Sequence, residues 1–144
     1  MADVFSISAS WNSAAKAGRL ASGDGSFETA HVGTSAGTKA PGPNPEELLL
    51  AGVTACFVQT WAIFLEKLRV PLEAPRVDAT CEMDKDPAGG FRVTRIDLFP
   101  IVPPALLEGR RADVDKTLSL AEKYCIVSKA VKGAVPISVA ARPA

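Results

Sequence analysis

The N-terminal part of the chain alternates between polar and apolar positions, which is the pattern of half-buried β-strands. Within residues 4–11, apolar side chains and serines alternate one by one from Phe5 to Trp11. Residues 18–22 and 26–32 predict two further strands, joined by a Gly-Asp-Gly turn at residues 23–25. Glycine, proline and small polar residues then dominate residues 33–43. The sequence therefore predicts three strands followed by a loop.

The pattern changes at residues 48–65, where LLLAGVTACFVQTWAIFL contains no charged side chain. Ahead of this run, Asn44 suits the N-cap of a helix, Pro45 suits its first position, and Glu47 completes a capping box. Pro71 follows the run and cannot continue a helix. These signals predict one long apolar helix that begins at Pro45 and ends before Pro71.

Two more strands follow the long helix. Residues 76–83 and 91–102 predict a hairpin around a turn at residues 84–90. Because Pro103 and Pro104 stand next to each other, we expect a loop after this hairpin.

The C-terminal part predicts helices and a closing strand. A second helix is expected over residues 111–124, with one apolar face formed by Val114, Leu118 and Ala121. A shorter helical turn continues through Lys132, and residues 135–141 predict the last strand. The order β-β-β-α-β-β-α-α-β, with groups of strands separated by helices, predicts an α+β fold. The length suits a single domain over residues 1–144.

The uncharged run of residues 48–65 meets the lower length of a transmembrane helix. Against a membrane span, Thr54, Gln59 and Thr60 interrupt the run, and no basic cluster flanks one end. A helix that is apolar on every face must be buried on every face, and one small sheet cannot cover it. We therefore favour the buried core of a homodimer, and a membrane-anchored protein is the less favoured alternative.

Charge and composition narrow the function classes. Sixteen basic and sixteen acidic residues cancel, and no basic cluster favours nucleic acid or a membrane surface. The start, MADVFSISASW, lacks the cationic segment of a secretory signal, so we expect a cytoplasmic protein. Cys56, Cys81, Cys125 and the single histidine, His31, lack the spacing of a metal site.

Three segments together resemble the OsmC/Ohr family of osmotically inducible and organic hydroperoxide resistance proteins. They are NPEELLLAGVTACF at residues 44–57, AEKYCIVSKA at residues 121–130 and GAVPISV at residues 133–139. The Glu-Glu at residues 46–47 and the Val-Ser-Lys at residues 127–129 resemble the OsmC branch more than the Ohr branch. The resemblance implies an OsmC-like fold with a long central helix in an intertwined homodimer.

The resemblance also implies a thiol-dependent peroxidase that reduces organic (alkyl or lipid) hydroperoxides. By position, Cys56 corresponds to the cysteine that attacks the peroxide and Cys125 to the cysteine that resolves the sulfenic acid as a disulfide. Glu46 and Arg19 correspond to the family's active-site glutamate and arginine. No cofactor, metal or flavin is implied, and the expected reductant is an external dithiol, of lipoyl type in the family.

The chemistry explains why such groups are needed. A thiolate is the reactive form of cysteine, whereas burial favours the thiol. Cys56 lies about three turns into its own helix, beyond the reach of that helix's dipole, so we expect a cation such as Arg19 to activate it. Glu46 would orient Arg19 through a bidentate contact.

Spacing bears on how the site is assembled. Glu46 and Cys56 are roughly 15 Å apart along a straight helix. Either Arg19 spans this gap, or the Arg19–Glu46 pair meets Cys56 across a dimer interface. We expect two sites per homodimer, each completed by both chains.

Two positions depart from the family pattern beside the second cysteine. Ile126 stands where many relatives have proline, and Tyr124 stands where a small residue is common. We expect these two residues to alter how Cys125 is presented. The alternative function is a redox-inactive member of the same fold that binds a hydrophobic ligand, against which the presence of both cysteines argues.

Overall fold

The computed structural model describes residues 2–35, 38–39 and 42–144, which form two compact units, Met1–Leu48 and Leu49–Ala144. The strands are β1 Ile7–Asn12, β2 Ala17–Ser22, β3 Glu28–Val32, β4 Thr34–Ser35, β5 Thr38–Lys39, β6 Arg76–Lys85, β7 Phe91–Val102, β8 Ile137–Val139 and β9 Arg142–Pro143. The helices are α1 Pro45–Lys67, α2 Pro104–Gly109, α3 Arg111–Tyr124 and α4 Ile126–Val131. This order confirms the predicted α+β class.

The first unit is built on an antiparallel sheet in the order β1-β2-β3. Strand β2 is central, and Gly18 on it lies opposite Trp11 on β1 and His31 on β3. A Cβ on Gly18 would come within 2.0 Å of the Ser10 carbonyl oxygen and within 2.4 Å of the His31 ring. Glycine therefore allows the imidazole to cross β2 and bond to the Ser10 oxygen at 3.0 Å.

The second unit contains the larger sheet, in which the predicted hairpin is confirmed. Strands β6 and β7 pair antiparallel, with a bulge between Glu82 and Met83. Strands β8 and β9 both run parallel to β7, so the end of the chain returns to the middle of the unit. This sheet forms one wall of the core that holds the long helix.

The core of the second unit forms where α1 and α3 meet the sheet. Helix α1 contributes a stripe with a spacing of four residues, consisting of Val53, Phe57, Trp61 and Leu65. Helix α3 contributes Val114, Leu118 and Ala121, which are buried as their spacing predicted. The Trp61 indole donates to the Thr117 hydroxyl at 3.0 Å and links the two helices.

Helix α1 is long and apolar enough to cross a membrane by length and composition, with a mean hydropathy of 2.0. Its buried stripe places it at the centre of the core of the second unit. Its other faces are less covered, and Ile63 exposes about half of its surface. The chain thus buries one face of this helix. That a second copy of the chain covers the remaining apolar surface stays a prediction.

The start of α1 has the predicted capping box. The Glu47 backbone N–H donates to Asn44 Oδ1 at 2.8 Å, and the Asn44 N–H donates to Glu47 Oε1 at 3.2 Å. Glu47 is therefore a capping residue, and Glu46 beside it is half-buried.

Two parts of the chain contain more structure than the pattern predicted. The expected loop of residues 33–43 includes the short strands β4 and β5, which pair with each other; residues 36, 37, 40 and 41 lie outside the described residues. The expected loop after Pro103 includes α2, with Pro104 in its first turn and Leu106 buried. Proline suits the first turn of a helix, where its missing N–H costs nothing, so the Pro-Pro pair marked a helix start as well as a break.

Candidate active site

Cys56 and Cys125 meet inside the second unit, although they are far apart in the sequence. Cys56 lies on α1 and is half-buried, whereas Cys125 is the buried residue between α3 and α4. Neither cysteine forms a disulfide, and the two thiol groups are in hydrogen-bonding contact. The structure therefore brings together the two sulfur atoms that the sequence selected.

The surroundings of Cys56 favour its thiolate. Burial raises the pKa of the Cys56 thiol, but hydrogen bonds from the Val127 N–H and the Cys125 thiol oppose this, and the pKa is lowered from its usual value. The Ile126 N–H acts in the same direction. The Thr60 hydroxyl donates its proton to the Cys56 carbonyl oxygen at 2.8 Å. The net effect is a lower pKa of Cys56, which favours the thiolate, the reactive form of cysteine.

The backbone donors come from the first turn of α4, a feature that sequence reasoning missed. Cys125 is the N-cap of this short helix, and Ile126 and Val127 are its first two residues. Their N–H groups have no partner within the helix, so they are available to a neighbouring anion. These donors were missed because the sequence reasoning considered only the helix to which Cys56 belongs.

Cys125 has the opposite electrostatic character. Burial raises the pKa of the Cys125 thiol, and the adjacent Cys56 raises it further, while the Ser128 hydroxyl and N–H lower it in part. The Ser128 Oγ lies 3.1 Å from the Cys125 Sγ. The pair therefore combines a lowered pKa at Cys56 with a raised pKa at Cys125, so that Cys56 is the thiol that ionises first.

The two positions that depart from the family pattern lie at the surface. Tyr124 is 47% exposed and packs against the Phe64 ring, with 5.6 Å between ring centroids. The Ile126 side chain is 73% exposed, so only its backbone N–H takes part in the site.

Arg19 and Glu46 belong to the first unit. Arg19 lies on β2 and pairs with Glu28 on β3, with 3.1 Å between Nε and Oε1, and both side chains are about 60% exposed. Glu46 lies in the first turn of α1. The activating role of Arg19 and the orienting role of Glu46 stay predictions. Among the residues that the structure describes, no group of three or more His, Cys, Asp or Glu side chains has the arrangement of a metal site.

Comparison with known proteins identifies the family. Residues 36–140 match the family model described as OsmC-like protein. The chain belongs to the OsmC-like protein family. The family predicted from the three segments is thereby confirmed, and the choice between its branches stays a prediction.

Curated relatives carry names from the hydroperoxide-resistance branch of this family. The chain is 28% identical over 96 residues to organic hydroperoxide resistance protein-like 1 of Staphylococcus epidermidis, covering 67% of this chain and 66% of the relative. The matched part of this chain therefore spans slightly less than two thirds of that relative's length. The protein of the same name from Staphylococcus saprophyticus is 24% identical over 128 residues, or 89% of each chain.

Solved structures of the family have the same fold. The OsmC-like protein of Mycoplasma pneumoniae superposes with a TM-score of 0.81 at 19% identity over 99% of both chains. The organic hydroperoxide resistance protein OhrB of Bacillus subtilis gives a TM-score of 0.74 at 22% identity, covering 97% of this chain and 98% of that one. The OsmC-like fold predicted for this chain is confirmed.

Proposed function

We propose that this protein is a cysteine-based peroxidase that reduces organic hydroperoxides to alcohols. The observation that carries the proposal is the contact between Cys56 and Cys125, in which the pKa of Cys56 is lowered and that of Cys125 is raised. Membership of the OsmC-like family and relatives named for hydroperoxide resistance support the same reaction class.

In the first step the Cys56 thiolate attacks one peroxide oxygen of ROOH. The O–O bond breaks, the alkoxide takes up a proton and leaves as ROH, and Cys56 becomes a sulfenic acid. The Cys125 thiol then attacks the sulfenic sulfur, water leaves, and a Cys56–Cys125 disulfide forms. An external dithiol, which we expect to be of lipoyl type, reduces this disulfide by exchange.

Arg19 and Glu46 complete the proposed site. The Arg19 guanidinium would stabilise the alkoxide as it departs, a task for which a permanently charged group with several donors is suited. Glu46 would hold the guanidinium in place. We propose that two sites form per homodimer, that each site uses both chains, and that the protein acts in the cytoplasm.

Apolar side chains beside Cys56 favour an alkyl or lipid hydroperoxide over hydrogen peroxide. Cys56 is partly buried and packs against the hydrophobic core of the second unit. Apolar surroundings of this kind favour contact with an alkyl group over a small polar oxidant.

The test measures the loss of cumene hydroperoxide in the presence of a dithiol. We expect Cys56→Ser to lose the activity almost entirely, because a serine hydroxyl does not ionise at the pH of the assay and cannot replace the thiolate as nucleophile. The matched control is Cys81→Ser on β6, outside the site, which should keep the wild-type rate. Equal rates for the wild type and Cys56→Ser would end the peroxidase hypothesis and favour the redox-inactive, ligand-binding alternative.

A further inference from the structure

The Ser128 hydroxyl donates a hydrogen bond to the sulfur of Cys125, with 3.1 Å between the two atoms. Ser128 is only 4% exposed and Cys125 is fully buried. Cys125 is the N-cap of α4, and Ser128 is the third residue of that helix. The short connection between them and their burial hold the donor against this sulfur before any reaction begins.

The acceptor of this hydrogen bond distinguishes Ser128 from the threonines of α1 and α3. Thr54, Thr60 and Thr117 donate to backbone carbonyl oxygens three or four residues earlier. Those carbonyls are the usual partners of a hydroxyl within a helix. Ser128 donates to a reactive side chain instead, so its hydrogen bond acts on the chemistry of the cysteine pair.

Building on the proposed peroxidase function, we propose that Ser128 is a positioning residue for the recycling step. Its hydroxyl stabilises Cys125 Sγ as the leaving group when an external dithiol attacks the disulfide at Cys56.

The step balances as a thiol–disulfide exchange. One thiolate of the dithiol attacks Cys56 Sγ, a new S–S bond forms there, and the Cys56–Cys125 bond breaks. The electron pair leaves on Cys125 Sγ, which accepts the Ser128 hydrogen bond and then takes up a proton. The second thiolate of the dithiol attacks the mixed disulfide and releases the Cys56 thiolate. The dithiol is oxidised by two electrons, and the protein returns to the reduced pair.

Burial determines which sulfur the dithiol attacks. Cys56 is half-buried and Cys125 is fully buried, so an external thiolate reaches Cys56 first. The sulfur that must then leave is Cys125, and burial makes it a poor leaving group because it raises the pKa of that thiol. A hydrogen-bond donor fixed at this sulfur makes it a better leaving group, because a hydrogen bond to a thiolate is stronger than one to a neutral sulfur.

The experiment measures the reduction of the isolated disulfide. Protein oxidised with one equivalent of cumene hydroperoxide is mixed with excess dithiothreitol, and the return of the free thiols is followed by quenching and mass spectrometry. We expect Ser128→Ala to slow this reaction about tenfold or more, as for the loss of a hydrogen bond to a charged group. Ser128→Thr keeps the hydroxyl and should restore most of the rate. Thr54→Val, which removes a hydroxyl that bonds to a carbonyl, should leave the rate unchanged.

A second measurement separates an effect on Cys125 from a general loss of packing. In a chain that also carries Cys56→Ser, Cys81→Ser and Tyr124→Phe, which removes the single tyrosine, the ultraviolet absorbance of the thiolate reports the titration of Cys125. Ser128→Ala should move the midpoint of the Cys125 titration to higher pH, and Ser128→Thr should bring this midpoint back towards the value found with Ser128.

The outcomes keep this proposal distinct from the proposed function. If Ser128→Ala consumes hydroperoxide and its disulfide is reduced at the wild-type rate, the role of Ser128 is overturned while the peroxidase stands. Equal slowing by Ser128→Ala and Ser128→Thr, or an unchanged Cys125 midpoint, also overturns it. Equal hydroperoxide loss by the wild type and Cys56→Ser is the separate result that rejects the peroxidase itself.

Discussion

The behaviour of single residues in the candidate site depends on donors that are distant in the sequence. Cys56 and Cys125 were found from their sequence context, and the structure brings them together. The amides of Ile126 and Val127 that lower the pKa of Cys56 were not found, because a backbone N–H has no sequence signature. Only the packing of α4 against α1 reveals them. The sequence thus predicted the two cysteines that meet and missed the backbone donors that lower the pKa of Cys56.

Ile126 offers a direct test of the backbone donors. It is the first residue of α4, where proline is well tolerated, and the preceding Cys125 has an extended backbone with ψ at 110°, as a residue before proline requires. Ile126→Pro removes one N–H from the Cys56 thiolate, so the pKa of Cys56 should rise. At a pH below the pKa of Cys56, the variant then contains less thiolate than the wild type. Alkylation of Cys56 by iodoacetamide should therefore slow several-fold.

The matched control for this change is Ile126→Ala. It removes the exposed side chain and keeps the N–H, so the pH profile of Cys56 alkylation should match the wild type. A profile of Ile126→Pro that does not move, or one that moves equally in Ile126→Ala, would contradict a role for this backbone donor.

Among the elements, those with a strong periodic pattern were predicted well. Helix α3 begins and ends at the predicted residues, and strand β7 does the same, because each buries one continuous apolar face. Helix α2 was missed because it is short and only Leu106 is buried in it. Short segments contain too few residues for a period to be visible, and their structure depends on the elements that flank them.

The contact between α1 and α3 includes one buried polar pair whose contribution is measurable. Trp61 and Thr117 are fully buried, and the indole N–H donates to the Thr117 hydroxyl. Thr117→Val keeps the shape of the side chain and leaves this N–H without an acceptor, which should lower the free energy of unfolding by about 1–3 kcal/mol. Urea unfolding at one fixed protein concentration measures the change.

Two further variants make that measurement specific. Thr117→Ser retains the hydroxyl and should lower the free energy of unfolding less than Thr117→Val does. In a Trp61→Phe background, where no indole N–H remains, Thr117→Val should lower the free energy of unfolding markedly less than it does in the wild type. Equal costs in both backgrounds would mean that the hydrogen bond does not stabilise the contact.

At the scale of the whole molecule, the central question is how Arg19 and Glu46 of the first unit relate to Cys56 of the second. Helix α1 retains an apolar surface, including Ile63, that its own chain does not fully cover. A second copy packed on this surface would bury it and could bring an arginine from one chain to the cysteine of the other. Sequence alone could not resolve this question, because it left arrangements within one chain and between two chains open.

Subunit complementation tests the shared site. Arg19→Ala and Cys56→Ser chains, each expected to be nearly inactive, are unfolded together and refolded as a mixture. If Arg19 serves the partner's site, mixed dimers regain one working site each, and roughly a quarter of the wild-type activity should return in a two-fold symmetric dimer. Sedimentation confirms that dimers form. Dimers without recovered activity, or a fully active monomer, would contradict sites completed by both chains.

The claim that Cys56 and Cys125 act as one redox pair is tested most directly by a single turnover. Reduced protein is treated with one equivalent of cumene hydroperoxide without dithiol, and its peptides are mapped under non-reducing conditions. We predict one Cys56–Cys125 disulfide for each cumyl alcohol formed, and no disulfide that includes Cys81. Alcohol formed without this disulfide, or hydroperoxide left unconsumed, would contradict the account.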